Sequence, residues 1–326
     1  MSDLTGTIFP MTRVAAIDCG TNSIRLLIAE QDPNTGALVD VLRRMEVVRL
    51  GQDVDRTGVL APDALARTLD MTAQYGADIA EHGVEKIRYV ATSAARDAAN
   101  GQDLVDGVLG VLGVEPQTLS GQEEALLSFQ GATAASVSAL PGPYLVVDLG
   151  GGSTELVLGS GQPDYSYSMD VGCVRITERH LKSDPPTAEQ LAAARAGVQS
   201  AIAQAAQVVP LGQTATLVGL AGTITTVTAH ALGLEKYDPA RIDGAVLDVD
   251  EVLRTCEDFI GQDRATRASL GFMHPGRVDV IAGGSIVWAE VVRAVRAAVG
   301  QNGGELRTTV TSEHDILDGI ALSLFN

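Results

Sequence analysis

The chain has 326 residues, enough for two domains of ordinary size, and 45% of them are hydrophobic, so a sizeable core is expected. The formal net charge of −18 argues against binding to nucleic acid or to anionic membranes. The same negative charge repels phosphate, so any phosphate site must be a region where the local electrostatic potential is not negative. The three cysteines show no metal-ligand or disulfide spacing, and neither a secretion signal nor a long apolar run is evident. We therefore expect a cytoplasmic protein.

The first half of the chain is predicted to begin with a β-meander. Residues 1–10 precede the first apolar run and are predicted to be a flexible tail. The runs VAAIDC, IRLLIAE and LVDVLRRMEVVRL, the last two separated by a turn at 33–36, predict three strands. The next expected elements are a helix at 62–82, a buried strand at 86–92, a helix ending near Asn100–Gly101, a short strand at 114–120 and a helix at 123–135.

The second half repeats this opening about 130 residues later. Strands are expected at 144–149, 155–159 and 166–171, then a helix at 187–207, a strand at 215–222 that leads into a helix, one or two helices at 277–299 interrupted at Gly283–Gly284, a strand at 307–312 and a final helix. Two halves with the same opening indicate an α/β repeat. The predicted domains are residues 11–133 with the C-terminal helix 313–326, and residues 134–312.

Two glycine-containing turns end the first strand of each half, in IDCGTNS and VVDLGGGSTEL. Such turns direct several backbone N–H groups into one concavity, which binds phosphate, and glycine removes the Cβ atoms that would obstruct it. Asp18 and Asp148 suit a hydrated Mg²⁺ that bridges to phosphate. Neither turn matches the spacing of a P-loop or of a dinucleotide-binding motif. The alternative for either turn alone is a tight hairpin without a ligand.

Seven motifs in order make the chain resemble a known family. They are IDCGTNSIRLLIA, VATSAARDAAN, LSGQEEALLSFQGA, VVDLGGGSTELV, GLAGTITTV, GRVDVIAGG and TSEHDILDGIAL. The chain resembles the exopolyphosphatase/guanosine-pentaphosphate phosphohydrolase family, in a short two-domain form, within the superfamily of sugar kinases, heat-shock-70 ATPases and actin. The resemblance implies two actin-like (ribonuclease H-like) α/β domains with an interdomain cleft. It also implies hydrolysis of terminal phosphate from inorganic polyphosphate, with Mg²⁺ or Mn²⁺ as cofactor.

Particular residues follow from the loops and from this resemblance. The resemblance assigns the general base to Glu124, and Asp148 and Glu155 are predicted to hold the metal. The predicted substrate- and phosphate-binding residues are Asp18, Gly20, Thr21, Asn22, Ser23, Arg96, Gly150, Gly151, Gly152, Ser153, Thr154, Gly222 and Thr223. Arg25 is left open as a strand residue.

Three of these positions also have a purely structural interpretation. The pair Glu123–Glu124 also fits a solvated helix N-terminus, Arg96 an inter-element salt bridge, and Glu155 a strand residue that faces solvent. Other functions also stay open: guanosine pentaphosphate hydrolysis, a small-molecule kinase, or a non-catalytic nucleotide-binding module. A homodimer is left open, and no nucleic-acid or membrane partner is expected. Because the acidic chain shows no extended basic channel, we expect short polyphosphate chains to be used at least as well as long ones.

Overall fold

A computed structural model describes residues 12–134 and 136–325, so the predicted tail at residues 1–10 lies outside the described residues. The strands are β1 Val14–Cys19, β2 Ser23–Gln31, β3 Leu38–Val47, β4 Lys86–Ala91, β5 Gln117–Thr118, β6 Tyr144–Leu149, β7 Thr154–Gly159, β8 Pro163–Met169, β9 Thr216–Leu220, β10 Val246–Asp248 and β11 Thr308–Thr311. The helices are α1 Val54–Thr57, α2 Pro62–Glu81, α3 Ser93–Asp97, α4 Gly101–Leu112, α5 Gly121–Thr133, α6 Cys173–His180, α7 Ala188–Ala205, α8 Ala221–Ala231, α9 Pro239–Ile242, α10 Val249–Gly261, α11 Arg264–Ser269, α12 Ile281–Gln301 and α13 Ile316–Leu322. Over these residues, no helix has both the length and the apolar character that crossing a bilayer would need.

Each half of the chain builds one mixed sheet. The first sheet has the order β3-β2-β1-β4-β5, and the second has the order β10-β11-β9-β6-β7-β8. In both, three consecutive strands form an antiparallel meander, and β4 or β9 then pairs in parallel with the first strand of that meander. The predicted repeat is therefore present in the topology, and β1 and β6 occupy equivalent central positions.

Helices cover the sheets and build separate apolar cores. On the second sheet, one cluster includes the single tryptophan, Trp288, and a smaller cluster with Phe129 of α5 lies on the opposite face. Two further clusters lie on either face of the first sheet. The last helix, α13, packs against α5, β1 and β2, so the C-terminus of the chain returns to the first sheet. The division of the chain into domains at residues 133/134 and 312/313 stays a prediction.

Two predicted helix boundaries are wrong. The Asn100–Gly101 pair does not end a helix; α3 ends at Asp97, and Asn100 precedes the first residue of α4. The Gly283–Gly284 pair does not interrupt α12, which is continuous from Ile281 to Gln301. A Cβ atom on Gly283 would meet the carbonyl oxygen of Cys173 at 2.8 Å. These glycines let α12 pack closely against neighbouring elements.

Candidate active site

A cavity of about 120 Å³ lies between the two sheets, at the carboxyl ends of β1 and β6. Both glycine turns, the start of α5 and the start of α8 contribute to its walls. Predicted site residues that line the cavity are Asp18, Gly20, Thr21, Asn22, Ser23, Glu124, Asp148, Gly150, Gly151, Ser153, Glu155, Gly222 and Thr223. The structure thus brings together residues that are more than 200 positions apart in the sequence.

The two glycine turns have the same internal hydrogen bond. The N–H of Gly20 donates to the carbonyl of Ser23 at 2.9 Å, and the N–H of Gly150 donates to the carbonyl of Ser153 at 3.0 Å. In the described part of the chain, the N–H groups of Asn22 and Gly151 donate to no carbonyl or side chain. Free N–H groups in two facing turns are suited to binding the oxygens of a phosphate chain.

The two turns also approach each other closely, which gives a second reason for the run of glycines. A Cβ atom on Gly151 would lie 2.9 Å from the Cβ of Thr21, and one on Gly152 would lie 2.7 Å from the Oγ of Ser93. Real Cβ atoms essentially never come that near to other heavy atoms. Protein atoms of the first half, in addition to any ligand, therefore require small residues here.

The two hairpins differ in the charge of the residue that lies opposite their aspartate. Asp18 on β1 lies opposite Arg25 on β2, and Asp148 on β6 lies opposite Glu155 on β7. Arg25 donates to Asp18 Oδ2 at 2.5 Å through Nη2 and also donates to Asp315, at the start of α13. The first hairpin is thus neutralised by an arginine, whereas the second adds a carboxylate.

Glu124 faces the cavity because of how α5 begins. Ser120 is the N-cap, and it exchanges hydrogen bonds with Glu123 in a capping box. Glu123 is therefore exposed at the helix end, and the next residue, Glu124, points inward and is 7% exposed. Arg96 Nη1 donates to Glu124 Oε2 at 2.8 Å. The helix start thus presents one of its two glutamates to the cavity.

The cavity carboxyl groups are short of compensating positive charge. Burial raises the pKa of Glu124 to about 7, although Arg96 acts in the opposite direction. Burial together with the charge of Asp315 raises the pKa of Asp148 to about 6. Burial and the nearby charges of Glu124 and Asp148 raise the pKa of Glu155. Strongly perturbed carboxyl groups in a cavity are typical of catalytic or metal-binding sites.

The start of α8 forms another wall and carries a residue that the sequence did not single out. Within the described structure no side chain caps α8, and uncapped N–H groups at a helix start are suited to binding an anion. Arg277 lies beside Gly222, and its Nη1 donates to Thr226 Oγ1 at 3.2 Å. Within the described residues it forms no ion pair with a carboxylate. The motif GRVDVIAGG contained Arg277, but only the fold shows that it lines the cavity.

Three predicted site residues do not line the cavity. Arg96 makes its side-chain contacts with Glu124, Asp97 and the carbonyl of Leu119. Gly152 packs against the first half. Thr154 is buried and donates to the carbonyl of Val171, because alternate residues of β7 point to opposite faces and Glu155 takes the cavity side. Residues that the sequence did not single out are Ser93, Arg277 and Asp315, and Arg25, which was left open, lines the cavity.

The two halves also contact each other beside the cavity. Arg175 on α6 is buried and donates to Asp97 Oδ2 at 2.5 Å, and it lies 3.4 Å from Asp55 of α1. Arg179 forms a further ion pair with Asp55. Here the carboxylates are paired, and the hydrogen bond from Arg179 lowers the pKa of Asp55. These contacts hold the halves together without entering the cavity.

The cavity carboxylates fit a divalent cation that binds mainly through water and phosphate. Asp18 Oδ1 is buried and finds no hydrogen-bond partner among residues 12–134 and 136–325, although the residue lines the cavity. Among the residues described, no three His, Cys, Asp or Glu side chains are arranged to hold a metal by themselves. Mg²⁺ commonly takes one or two carboxylates and keeps several waters or phosphate oxygens as its other ligands. Asp148 and Glu155 fit that mode of binding.

Comparison with known proteins defines the class. Residues 27–306 match the model of the Ppx/GppA phosphatase family, and the chain belongs to this family. Enzymes of the family generally depend on a divalent metal. The predicted family is thereby confirmed.

Particular relatives are close in sequence and structure. The chain is 48% identical to exopolyphosphatase 2 of Mycobacterium tuberculosis over 321 residues, covering 96% of this chain and 99% of the relative. An exopolyphosphatase-like protein of known crystal structure is 44% identical with a TM-score of 0.93, covering 97% of this chain and 98% of that one. The Aquifex aeolicus PPX-GPPA enzyme is 28% identical with a TM-score of 0.77, covering 96% and 100%. The predicted actin-like α/β fold is confirmed.

Proposed function

We propose that this protein is an exopolyphosphatase that releases terminal orthophosphate from inorganic polyphosphate. The observation that carries the proposal is the position of Glu124, a buried carboxyl group with its pKa raised to about 7, in a cavity walled by two phosphate-type turns. A general base is most effective when its pKa lies near the working pH. The similarity to exopolyphosphatase 2 supports the choice of substrate.

In the proposed reaction, the carboxylate of Glu124 accepts a proton from a water molecule. The water oxygen forms a bond to the terminal phosphorus, and the bond from that phosphorus to the bridging oxygen breaks. The products are orthophosphate and a chain one phosphate shorter, and Glu124 then passes its proton to the released phosphate or to solvent, so one water is consumed for each phosphate released. The hydrogen bond from Arg96 orients Glu124, and the free N–H groups of Asn22 and Gly151 hold phosphate oxygens in line.

Mg²⁺ or Mn²⁺ is proposed as the cofactor, held by Asp148 and Glu155. When bound, the cation supplies positive charge for the phosphate oxygens and relieves the repulsion between the buried carboxylates. The predicted contribution of Asp18 to phosphate binding is proposed to run through the hydrated cation, because its own charge would repel phosphate; Arg25 donates a hydrogen bond to it. The predicted role of Arg96 as a phosphate clamp stays a prediction.

Guanosine pentaphosphate is the second candidate substrate. Arg277 favours it, since this arginine lacks a carboxylate partner in the described chain and lines the cavity beside Gly222 at the start of α8, where it could bind the further phosphates of a branched substrate. A kinase would need an acceptor hydroxyl, and a binding module would need no base. The cytoplasmic location and the homodimer stay predictions.

A side-by-side assay tests these proposals. Phosphate release is measured with Mg²⁺ from long polyphosphate, short polyphosphate, guanosine pentaphosphate and ATP. We expect the highest kcat/KM with short polyphosphate, and products of a long chain that form a gradually descending ladder on a gel. Release only from guanosine pentaphosphate would support the second candidate. No release from any of the four would contradict a hydrolase, and intact long chains beside free phosphate would contradict distributive action.

A further inference from the structure

Ser128 lies one helical turn after Glu124 on α5, at the junction of the two halves. Residues four apart on a helix share one face, so Ser128 points to the same side as the proposed base. Its side chain is fully buried, and its Oγ donates to Asp148 Oδ2 at 2.5 Å. One helix of the first half therefore carries the proposed base and also contacts a proposed metal carboxylate of the second half.

The position of α5 is closely defined by its neighbours. A Cβ atom on Gly131 would collide with the carbonyl oxygen of Asp315, and one on Gly319 would collide with the carbonyl oxygen of Leu127. The backbones of α5 and α13 therefore cross at the smallest separation that glycine allows. At the other end of α5, a Cβ atom on Gly121 would lie 2.6 Å from the Cβ of Ser168. A helix confined at both ends holds the Ser128 hydroxyl rigidly.

We propose that Ser128 is a positioning residue that orients Asp148 for the divalent cation. In the described chain the hydroxyl is the only hydrogen-bond donor to the Asp148 side chain, and it occupies Oδ2. Oδ1 is thereby left for the cation or for a water bound to it. The inference rests on the proposed function, because it takes Asp148 as a metal ligand.

A second serine has the same arrangement at the neighbouring carboxylate. Ser168 Oγ, on β8, donates to Glu155 Oε1 at 2.7 Å. Both proposed metal carboxylates thus have one oxygen held by a serine hydroxyl next to α5. Groups that hydrogen-bond to ligating carboxylates fix their orientation, and removing such a group typically lowers metal affinity by about 10–100-fold.

The test measures Mn²⁺ binding to the full-length protein without substrate, by electron paramagnetic resonance. We expect Ser128→Ala to weaken Mn²⁺ binding by about 10–100-fold. Ser128→Cys keeps the shape but offers only a weak S–H donor, so its affinity should fall between those of the wild type and Ser128→Ala. Ser285→Ala is the matched control, because Ser285 is also fully buried in a helix but its hydroxyl has no hydrogen-bond partner in the part of the chain that the structure describes.

The outcomes separate this inference from the proposed function. Unchanged Mn²⁺ affinity in Ser128→Ala, or an equal loss in Ser285→Ala, would overturn the positioning role, as would a wild type that binds no Mn²⁺. If Ser128→Ala fails to fold, Ser128→Cys decides by the same criterion. A wild type that binds Mn²⁺, loses it on Ser128→Ala and yet releases no phosphate from polyphosphate would retain this inference and refute the proposed function.

Discussion

The two hairpins of this protein share one geometry but differ in charge. β1–β2 and β6–β7 have the same strand order, the same turn hydrogen bond and an aspartate at the same position. Opposite that aspartate the first hairpin has Arg25 and the second has Glu155. The first hairpin therefore pairs its aspartate with an arginine, whereas the second places two carboxylates opposite each other without a basic residue between them. Two copies of one hairpin can thus differ in the charge that they place in a shared cavity.

The first and largest test concerns the base that faces the acidic hairpin. Glu124→Gln keeps the size and hydrogen bonding of the side chain but removes the proton acceptor. We expect kcat to fall by about 10²–10⁴-fold, the usual cost of losing a positioned base, with the thermal unfolding temperature preserved. Phosphate release from polyphosphate and thermal unfolding are the measurements.

Glu123→Gln is the matched control for that variant. Glu123 is exposed and forms the capping box, which glutamine also completes, so its activity should stay close to that of the wild type. Activity of Glu124→Gln within threefold of wild type would contradict its role as base.

The wild type should also show a pH dependence set by Glu124. Its kcat/KM should fall about tenfold per pH unit below pH 7, as the carboxylate of Glu124 is protonated.

The second test removes the charge balance of the first hairpin. Arg25→Gln leaves Asp18 and Asp315 without their shared cation in a site where both are buried. Removing one partner of a buried ion pair costs about 3–5 kcal/mol, and the lower end is expected here because the Arg25 side chain is 21% exposed. Urea unfolding monitored by Trp288 fluorescence measures the loss. Arg254→Ala, which removes an exposed pair, should change stability little; an equal loss in both variants would contradict the comparison.

The third test removes charge from the second hairpin and should have the opposite sign. The pKa of Asp148 is raised in the folded protein to about 6, so its contribution to stability is present below the unfolded value of 3.8 and is lost as the pH rises through 6. The Asp148→Asn variant does not have this pH-dependent loss of stability in the absence of metal, because asparagine does not ionise. We expect it to be more stable than wild type by roughly 0.5–2 kcal/mol at pH 8.

The pH dependence of this stability gain is the control for the Asp148→Asn prediction. The gain from Asp148→Asn should shrink as the pH falls below 6, because the wild-type carboxyl group is then protonated in the fold. Urea unfolding in the presence of a chelator at pH 5 and pH 8 compares the two proteins. A variant less stable than wild type at pH 8 would show that the second hairpin, like the first, is charge-balanced without a cation.

Local patterns predicted most of the elements and most of the cavity lining. The meanders follow from apolar alternation, and the turns Gly20–Ser23 and Gly150–Ser153 follow from their glycines and hydroxyl groups. The predictions were wrong or incomplete where contacts between residues far apart in the sequence determine the structure. Gly283–Gly284 has the signal of a helix break, yet it serves a close helix contact. Arg277 appeared as one residue of a motif, because nothing local shows which cation lacks a partner.

The sequence by itself determined the repeated strand–turn–strand hairpins and the acidic overall charge, because these depend on composition, neighbouring residues and periodicity; the choice of Glu124 over Glu123 came from the family resemblance. The tertiary structure decided which charges meet. Arg25 joins Asp18 to Asp315, and Ser128 reaches Asp148, across separations that no local pattern encodes. Burial then sets the pKa of each carboxyl group. Two carboxyl groups of the same residue type differ in pKa because the fold removes water and positive charges from one of them and not from the other.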